Sequence, residues 1–238
     1  MDLSGLDPFA NRYLDGISIT LQLVIFSVAI GAVLSGFLTA ARLSPSRLLS
    51  WPALAFSTFF RGTPLLAQTF LIYYGAGQFR PELQSVGLWI FFREAYFCVL
   101  LTFALNTAAY QSEIWRGALR SVPTGQWEAA AALGVPKIVT LFKVVVPQAF
   151  VIALRPLGNE VILMVKASAI ASVVTVYDIM GVTRLAYART FDFSYYLVAA
   201  VLYLLIVEVL RRALEAVERR ITRYQRRDND PRATARAA

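Results

Sequence analysis

Residues 128–147, which read EAAAALGVPKIVTLFKVVVP, decide how the rest of the chain is interpreted. They separate long apolar runs, and their first part consists of strong helix formers. We predict a helix over 126–133, with Gly134 supplying the turn that ends it. Pro136 suits the start of a second short helix, and Pro147 is expected to close that helix. The sequence therefore predicts a loop with a helix-turn-helix fold of its own.

The surface of this loop is suited to contact with a protein. Thr124 or Gly125 is available to cap its first helix. Five apolar side chains are expected to project from it: Leu133, Ile138, Leu141, Phe142 and Val145. Such a unit could dock into a groove of a partner as a helix-in-groove contact. The alternative is an amphipathic helix lying on lipid, but the loop is rich in alanine and only weakly basic, which favours the protein partner.

The composition of the 238 residues indicates a membrane protein. Apolar residues make up 58% of the chain and charged residues 16%, with a mean hydropathy of +0.58. Soluble domains average about a quarter charged residues, so this chain is too apolar for that class. A net charge of +8 could suggest nucleic acid as a partner. However, nine arginines lie between Arg211 and Arg236, beside the last apolar run, where positive charge fixes membrane topology.

Several kinds of chemistry are excluded by residue types. The chain has no histidine and one cysteine, Cys98, so neither a disulfide framework nor a metal site is predicted. It also lacks the G-x-x-x-x-G-K-[ST] phosphate loop, and we expect it to bind no ATP, metal or other cofactor itself. Any ATP and Mg²⁺ would be used by a partner.

The hydropathy pattern predicts an all-α polytopic protein with about five transmembrane helices. These spans are expected at 16–41, 51–77, 95–112, about 146–165 and about 193–210. The remaining parts are an outer segment at 1–15, without the features of a secretory signal, and an Arg-rich cytoplasmic tail at 221–238. Residues 16–220 thus form one transmembrane domain, and its cytoplasmic loop covers about 117–147. Residues 167–176 are too few to span and are expected to be re-entrant or a short surface helix on the outer side.

Basic residues set the orientation of these spans. Arg42 and Arg47 follow the first span with no acid nearby, which places that loop in the cytoplasm and the N-terminus outside. Five spans then leave the C-terminus in the cytoplasm. Glu208 with Arg212 and Glu215 with Arg219 are i,i+4 pairs that could extend the last helix into water. Because five spans cannot form two equal halves, we expect a second chain, a copy or a sister, to complete a central pathway.

Five polar residues at membrane depth are candidates for a substrate pathway, because ionisable groups there tend to be functional. They are Arg61, Asn106, Asn159, Glu160 and Lys166. Three of them have a structural alternative. Glu160 could pair with Arg155 or Lys166 only to hold helices together, Arg61 could reach the headgroups beside a helix break at Thr63 and Pro64, and Asn106 could join two helices by a hydrogen bond. Glu113 and Arg116 are best interpreted as a local ion pair.

Three motifs resemble those of a known family. Glu128-Ala129-Ala130, Gly134 and the ending Val144-x-Val146-Pro147 resemble the EAA loop of bacterial ABC importer permeases, which usually ends Ile-x-Leu-Pro. Residues 60–66, FRGTPLL, and 112–117, SEIWRG, are similar to the permeases for polar amino acids of the histidine, glutamine and opine type. The resemblance covers nearly all of residues 16–220.

This resemblance implies a type I ABC importer fold and a function in uptake across the bacterial inner membrane. The substrates would be polar amino acids, among them basic amino acids or opines. Glu128, Ala129, Ala130, Gly134 and Pro147 would couple the chain to the cleft of an ATPase dimer. A second permease subunit and a periplasmic solute-binding protein would complete the assembly, and the chain itself would be a transport subunit, not an enzyme.

Two other functions are weighed against this one. An ion-coupled secondary amino-acid carrier would use Glu160 and Lys166 to relay the ion, but five spans and the EAA loop argue against it. An intramembrane serine protease is disfavoured because the chain has no histidine and no evident serine–lysine site.

Overall fold

The computed structural model describes residues 7–222, and these residues are entirely helical or connecting loop. Six long helices carry the fold: α1 (Asp7–Leu43), α2 (Arg47–Gly62), α3 (Leu65–Gln78), α6 (Ala95–Arg120), α9 (Val146–Ala167) and α11 (Ser194–Ile221). Shorter elements connect them: α4 (Arg80–Ser85), α5 (Trp89–Phe92), α7 (Thr124–Ala132), α8 (Lys137–Thr140), a π-helix (Leu141–Val145), a 3₁₀-helix (Ser168–Val174) and α10 (Ile179–Thr190). The predicted Arg-rich tail lies, from residue 223 onward, outside the described residues.

Helix α6 lies at the centre of the bundle, and α1 packs along it over much of its length. Small and polar residues make this close approach possible. At Gly31 of α1, an added Cβ would overlap the methyl group of Thr107 and lie 3.2 Å from the backbone nitrogen of Ala108. The apolar core around this seam includes Leu23 of α1 and Phe103 of α6, both fully buried.

The five predicted spans correspond to helical elements of the structure. They are α1, the pair α2 and α3, α6, α9 and α11. By length and apolar composition, two stretches of the described residues qualify on their own as membrane-crossing helices, Phe9–Leu43 and Lys137–Val174. The predicted break at Thr63 and Pro64 is confirmed, since α2 ends at Gly62 and α3 begins at Leu65.

The first helix begins earlier than the sequence predicts. Residues 1–15 were expected to form an outer segment, but α1 starts at Asp7 and continues through the predicted boundary. The reason is aromatic packing: Phe9 and Tyr13 are buried against α10 and α11. The Tyr13 hydroxyl also lies 3.1 Å from that of Thr183, which ties the first turns of α1 to α10.

Two details of the 128–147 segment differ from the prediction. Helix α7 begins at Thr124 after Pro123, with no side-chain cap from Thr124 or Gly125. Pro147 does not close the second helix, because α8 continues through the π-helix into α9. A proline lacks an N–H and crowds the carbonyl four residues earlier, and the wider π turns immediately before Pro147 accommodate it without ending the helix.

Residues 167–176 are not a surface helix. Most of them form the 3₁₀-helix Ser168–Val174, whose Ala171 and Val174 are fully buried in the main core. Thr175 has a φ of 66° and turns the chain into α10, an element that the sequence analysis did not predict.

Of the two ion pairs predicted on α11, the first is confirmed. Glu208 pairs with Arg212, with 2.6 Å between Oε1 and Nε.

The second predicted pair on α11 is wrong. Glu215 accepts a hydrogen bond from Arg211, one turn earlier, and not from Arg219. Arg211 also bonds Glu208, so the charges join three residues on one side of α11. Helix α11 continues to Ile221, beyond the predicted end of the span, as the charge pattern suggested.

Candidate functional site

The break between α2 and α3 is satisfied by side chains from elsewhere in the bundle. Pro64 has no N–H, so the carbonyl of Phe60 lacks its usual helical donor. Asn106 of α6 donates to that oxygen at 2.9 Å, and Gln68 of α3 donates to it at the same distance. Gln68 also donates to the hydroxyl of Thr63 at 2.7 Å, and its own Oε1 accepts from Asn106 at 3.0 Å. Asn106 therefore joins α6 to α2 and α3 by hydrogen bonds, which is the alternative to a pathway role given above.

Arg61 lies beside this break and belongs to a charged cluster around one carboxylate. Glu113 of α6 accepts two hydrogen bonds from Arg116, at 2.9 and 2.7 Å, which confirms the predicted local pair. Arg42 of α1 donates to the other oxygen at 3.2 Å, and Arg61 approaches to 3.7 Å. The Arg61 guanidinium also lies 5.5 Å from the ring centre of Tyr110. One glutamate thus holds arginines from α1, α2 and α6 at the end of the bundle that leads into α7.

Glu160 is buried inside the bundle. Its side chain faces α6, where the hydroxyl of Thr107 donates to it and Arg61 is the cation that acts on it. The same hydroxyl accepts a hydrogen bond from Gln111 at 3.1 Å. Neither of the partners considered for Glu160 is used, because Arg155 pairs with Glu218 at 2.6 Å and Lys166 is exposed. Among residues 7–222, Glu160 is thus a buried carboxylate at membrane depth that forms no direct ion pair.

The five pathway candidates divide into two groups. Arg61, Asn106 and Glu160 lie together around α6. Asn159 is exposed and lines a groove of about 250 Å³ between α9 and α11, and Lys166 is exposed near the end of α9. The structure does not bring these two residues to the group around α6.

The segment 124–147 projects two short helices joined by a tight turn. Gly134 has a φ of 71°, the left-handed conformation expected at the end of a helix. Glu128, Ala129 and Pro147 are exposed, and Ala130 is half-buried. Of the five predicted apolar contacts, Leu133, Ile138 and Phe142 are exposed, whereas Leu141 and Val145 pack inward.

Leu141 and Val145, the two that pack inward, belong to an apolar cluster between α6 and α9. Val145 packs there with Ala118 of α6 and with Ala149 and Ala153 of α9, while Leu141 packs against this cluster. These contacts fix the segment to the bundle. Leu133, Ile138 and Phe142 are left as an apolar surface with no cover in the described residues.

Sequence reasoning missed one buried polar site. Asp178 is fully buried at the start of α10 and accepts hydrogen bonds from the backbone of Gly181, at 2.8 Å, and from the hydroxyl of Tyr203, at 3.0 Å. It caps α10 and joins it to α11. An aspartate just ahead of a helix is a recognisable N-cap signal, but the low hydropathy of residues 177–192 hid the helix itself.

These helices, with the uncovered segment between α6 and α9, have the architecture of a polytopic membrane permease. The family described as binding-protein-dependent transport system inner membrane component matches residues 17–223. The chain belongs to this family. It is thus a multi-pass transport subunit of the inner membrane and the permease subunit of an ABC importer.

Several permeases are similar in sequence. The nopaline transport system permease protein NocM of Agrobacterium fabrum is 40% identical over 219 residues, which cover 92% of this chain and 91% of that protein. The octopine transport system permease protein OccM of Rhizobium meliloti is 46% identical over 178 residues, 75% of this chain and 72% of that protein. The arginine ABC transporter permease protein ArtM of Escherichia coli is 39% identical over 182 residues, 76% and 81% of the two chains.

Solved structures share the fold. A crystal structure of an amino acid ABC transporter with histidines aligns with a TM-score of 0.83 at 30% identity, and it covers 92% of this chain and 99% of that one. The MetNI methionine ABC transporter, in an inward-facing conformation, aligns with a TM-score of 0.72 over 90% and 98% of the chains. Its 18% identity supports the fold alone.

Proposed function

We propose that this permease imports polar amino acids, among them basic amino acids or opines, and that a separate ATPase dimer drives it. The observation that carries the proposal is the uncovered helix-turn-helix at 124–147, held by α6 and α9. Those two helices also hold Thr107 and Glu160. A movement of the segment would therefore displace α6 and α9, the two helices at the candidate pathway.

Residues Glu128, Ala129, Ala130 and Gly134 would enter the cleft of the ATPase. The exposed alanines allow a partner backbone to come close, while Leu133 and Ile138 offer apolar contacts. Their side chains are 82% and 68% exposed, so both are accessible to a partner. Pro147 would contribute at the other end of the segment, because it follows the π-helix that joins this surface to α9. ATP and Mg²⁺ would be bound by the ATPase and not by this chain.

The substrate class follows from the charge in the bundle and from the relatives. Permeases named for nopaline, octopine and arginine are similar to this chain over most of its length. A buried carboxylate such as Glu160 suits a cationic amino acid, because ionic hydrogen bonds are the strong ones in a water-poor site. Arg61 and Asn106 lie close enough to take part, and Asn159 and Lys166 would contact substrate only on another face of α9.

The assembly would contain further subunits. A second permease, a copy or a sister chain, would complete the pathway, and a periplasmic solute-binding protein would deliver the solute. The N-terminus would lie outside and the C-terminus in the cytoplasm. This orientation places Arg42, Arg116 and the segment 124–147 on the cytoplasmic side, in agreement with the positive-inside rule.

The test is uptake of labelled L-arginine into proteoliposomes that hold this chain with its ATPase and binding protein. Wild-type uptake should require ATP. The variant Leu133→Ser should lower uptake about ten-fold or more, because a buried apolar anchor of an interface is worth at least 1.4 kcal/mol. Leu48→Ser is the matched control, since Leu48 is 84% exposed and lies outside the segment.

Two results would overturn the proposal. Uptake driven by a proton gradient without ATP would favour the secondary carrier. ATP-driven uptake unaffected by Leu133→Ser would remove the segment from the coupling role.

A further inference from the structure

An open groove of about 550 Å³ runs along the second half of α1. Its walls include α1 from Ala32 to Ser44, the end of α6 at Trp115 and Leu119, and the start of the π-helix Leu141–Val145. None of the described residues that line it carries a charge. Its volume falls within the range of ligand sites, about 300–1,000 Å³.

The length of the groove matches one leaflet of a bilayer. Ala32, Gly36, Ala40 and Leu43 follow one face of α1, at spacings of three and four residues. A rise of about 1.5 Å per residue places the first and the last about 16 Å apart. Half of a hydrocarbon core of about 30 Å is about 15 Å. Since these residues belong to the stretch Phe9–Leu43, which can cross a membrane, an acyl chain would fill the groove from end to end.

Trp115 gives the wall of the groove a hydrogen-bond donor that lacks an acceptor. Its ring is half-buried and stacks on Phe150, with 6.0 Å between the ring centres. Among residues 7–222, no acceptor takes a hydrogen bond from its indole N–H. An indole N–H away from water usually finds a partner, because an unpaired donor in hydrocarbon costs free energy. The groove therefore suits a ligand with an acceptor near the end of α6.

Two exposed cations border the groove. Arg120 directly follows Leu119, and Lys143 directly follows Phe142, so each Cα lies about 3.8 Å from that of a lining residue. Neither cation forms an ion pair with a carboxylate of residues 7–222. Cations beside a spanning helix attract anionic lipid, and their long side chains reach the headgroups. A ligand with a negative charge at this end is therefore favoured.

We infer that the groove binds one anionic glycerophospholipid, with the chemistry of phosphatidylglycerol. One acyl chain would lie on Gly36 and Ala40, an ester carbonyl would accept the hydrogen bond from Trp115, and the phosphate would lie near Arg120 and Lys143. A helix of another subunit fits less well, because its backbone carbonyls are bonded within the helix and leave no acceptor for the indole. Phosphatidylcholine offers the same ester but no net charge to the two cations.

This inference goes beyond the proposed function, because the ligand is a component of the membrane and not the transported solute. The lipid would contact Leu141 and Phe142, and it would thus lie against the base of the segment 124–147. Its binding can be measured without ATP or substrate. The failure of either idea is therefore distinguishable from the failure of the other.

The experiment is a titration of dioleoylphosphatidylglycerol into the detergent-purified transporter that contains the full chain, followed by native mass spectrometry. Trp115→Phe keeps a stacking ring and should weaken binding about two- to ten-fold, since it removes one hydrogen bond. Gly36→Leu should weaken binding about ten-fold or more, because the new side chain fills the groove. Gly75→Leu on α3 is the matched control, since both glycines meet no atom within 4 Å and Gly75 lies outside the groove.

The charge of the ligand is tested separately. The double variant Arg120→Gln with Lys143→Gln should bind phosphatidylglycerol about ten-fold more weakly, but it should bind dioleoylphosphatidylcholine as wild type does. Glycerol phosphate, which has the phosphate without the acyl chains, should not compete with the lipid. Arg189→Gln is the control for charge, because Arg189 is exposed and outside the groove.

Three outcomes would overturn the inference. The first is equal affinity for phosphatidylglycerol in wild type, Trp115→Phe and Gly36→Leu. The second is competition by glycerol phosphate as strong as that by the lipid, which would identify a phosphate site without the groove. The third is no lipid binding by wild type together with separation of the permease pair in Gly36→Leu, which would assign the groove to a second subunit.

Discussion

The side-chain nitrogen of Asn106 donates a hydrogen bond to the carbonyl oxygen of Phe60, 2.9 Å away, across the interface between α6 and α2. This oxygen is the one that Pro64 leaves without a helical donor. A backbone carbonyl without a partner is costly inside a membrane, and this one is satisfied jointly by Asn106 of α6 and Gln68 of α3. The break is thereby fixed against α6, the helix that carries Glu113 and leads to α7.

The first prediction concerns this contact. Asn106→Leu should lower the free energy of unfolding by about 1–3 kcal/mol, because it removes donors to Phe60 and to Gln68 in a buried site. The measurement is the thermal midpoint of purified protein followed by tryptophan fluorescence. Asn159→Leu is the control, since Asn159 is exposed and should tolerate the change. Equal midpoints for the two variants would contradict the role of Asn106 in holding the break.

The second prediction concerns the cluster around Glu113. Glu113→Gln should lower the free energy of unfolding by about 1–3 kcal/mol, because Arg42, Arg61 and Arg116 would lose the counter-charge that they share in a largely buried site. Glu94→Gln is the matched control. Glu94 pairs with Arg93 on an exposed surface, and its loss should cost under about 1 kcal/mol.

High salt provides an independent check on this cluster. Exposed pairs are screened by salt, whereas a largely buried cluster is screened much less. The difference between the Glu113 and Glu94 variants should therefore persist in concentrated salt. If it disappeared, the cluster would behave as an ordinary surface ion pair.

The third prediction concerns the close approach of α1 and α6. Gly31→Ala should destabilise the protein by about 1–3 kcal/mol, because the new methyl group would overlap Thr107 and press on the backbone of Ala108. Gly36→Ala, five residues further along α1, meets no atom within 4 Å and should be neutral or slightly stabilising. Comparable thermal midpoints for the two variants would show that α1 can move away from α6 without cost.

The elements that sequence predicted well were those marked by local chemistry. Gly134 and Pro64 each constrain the backbone by themselves, so the turn after α7 and the break after α2 could be located without tertiary information. The i,i+3 pair of Glu113 and Arg116 is local for the same reason. Apolar run length was similarly sufficient to predict where long helical elements lie, since the thickness of the bilayer sets the length of such runs.

The parts that were missed depend on contacts between distant segments. The start of α1 is set by packing of Phe9 and Tyr13 on α10, some 170 residues away in sequence. Arg42 joins Glu113 only because α1 packs along α6. Pro147 was expected to end a helix by its local chemistry, but the π-helix before it relieves the clash. Residue spacing within one helix does not reveal such pairs, because the rotation of one helix relative to another depends on how the two pack together.

The fourth prediction concerns the turn between α7 and α8. Gly134→Ala should destabilise this turn by about 1–2 kcal/mol, because a φ of 71° places a side chain against the following carbonyl. ATP-driven uptake should fall with little change in the amount of protein in the membrane, since no buried contact is lost. Gly125→Ala within α7 is the control and should leave uptake intact, because no atom lies within 4 Å of its new methyl group. Unchanged uptake in Gly134→Ala would show that the turn can change shape without affecting coupling.

The fifth prediction concerns the buried carboxylate near Thr107. Glu160→Gln keeps the size of the side chain and its ability to accept from the Thr107 hydroxyl, but it removes the charge. Uptake of L-arginine should fall about ten- to hundred-fold, since a hydrogen bond to a charged group is worth about 1.5–3 kcal/mol. The thermal midpoint should be kept, which would separate loss of substrate binding from loss of structure. The exposed Glu82 provides the control Glu82→Gln, and equal uptake in the two variants would exclude Glu160 from the pathway.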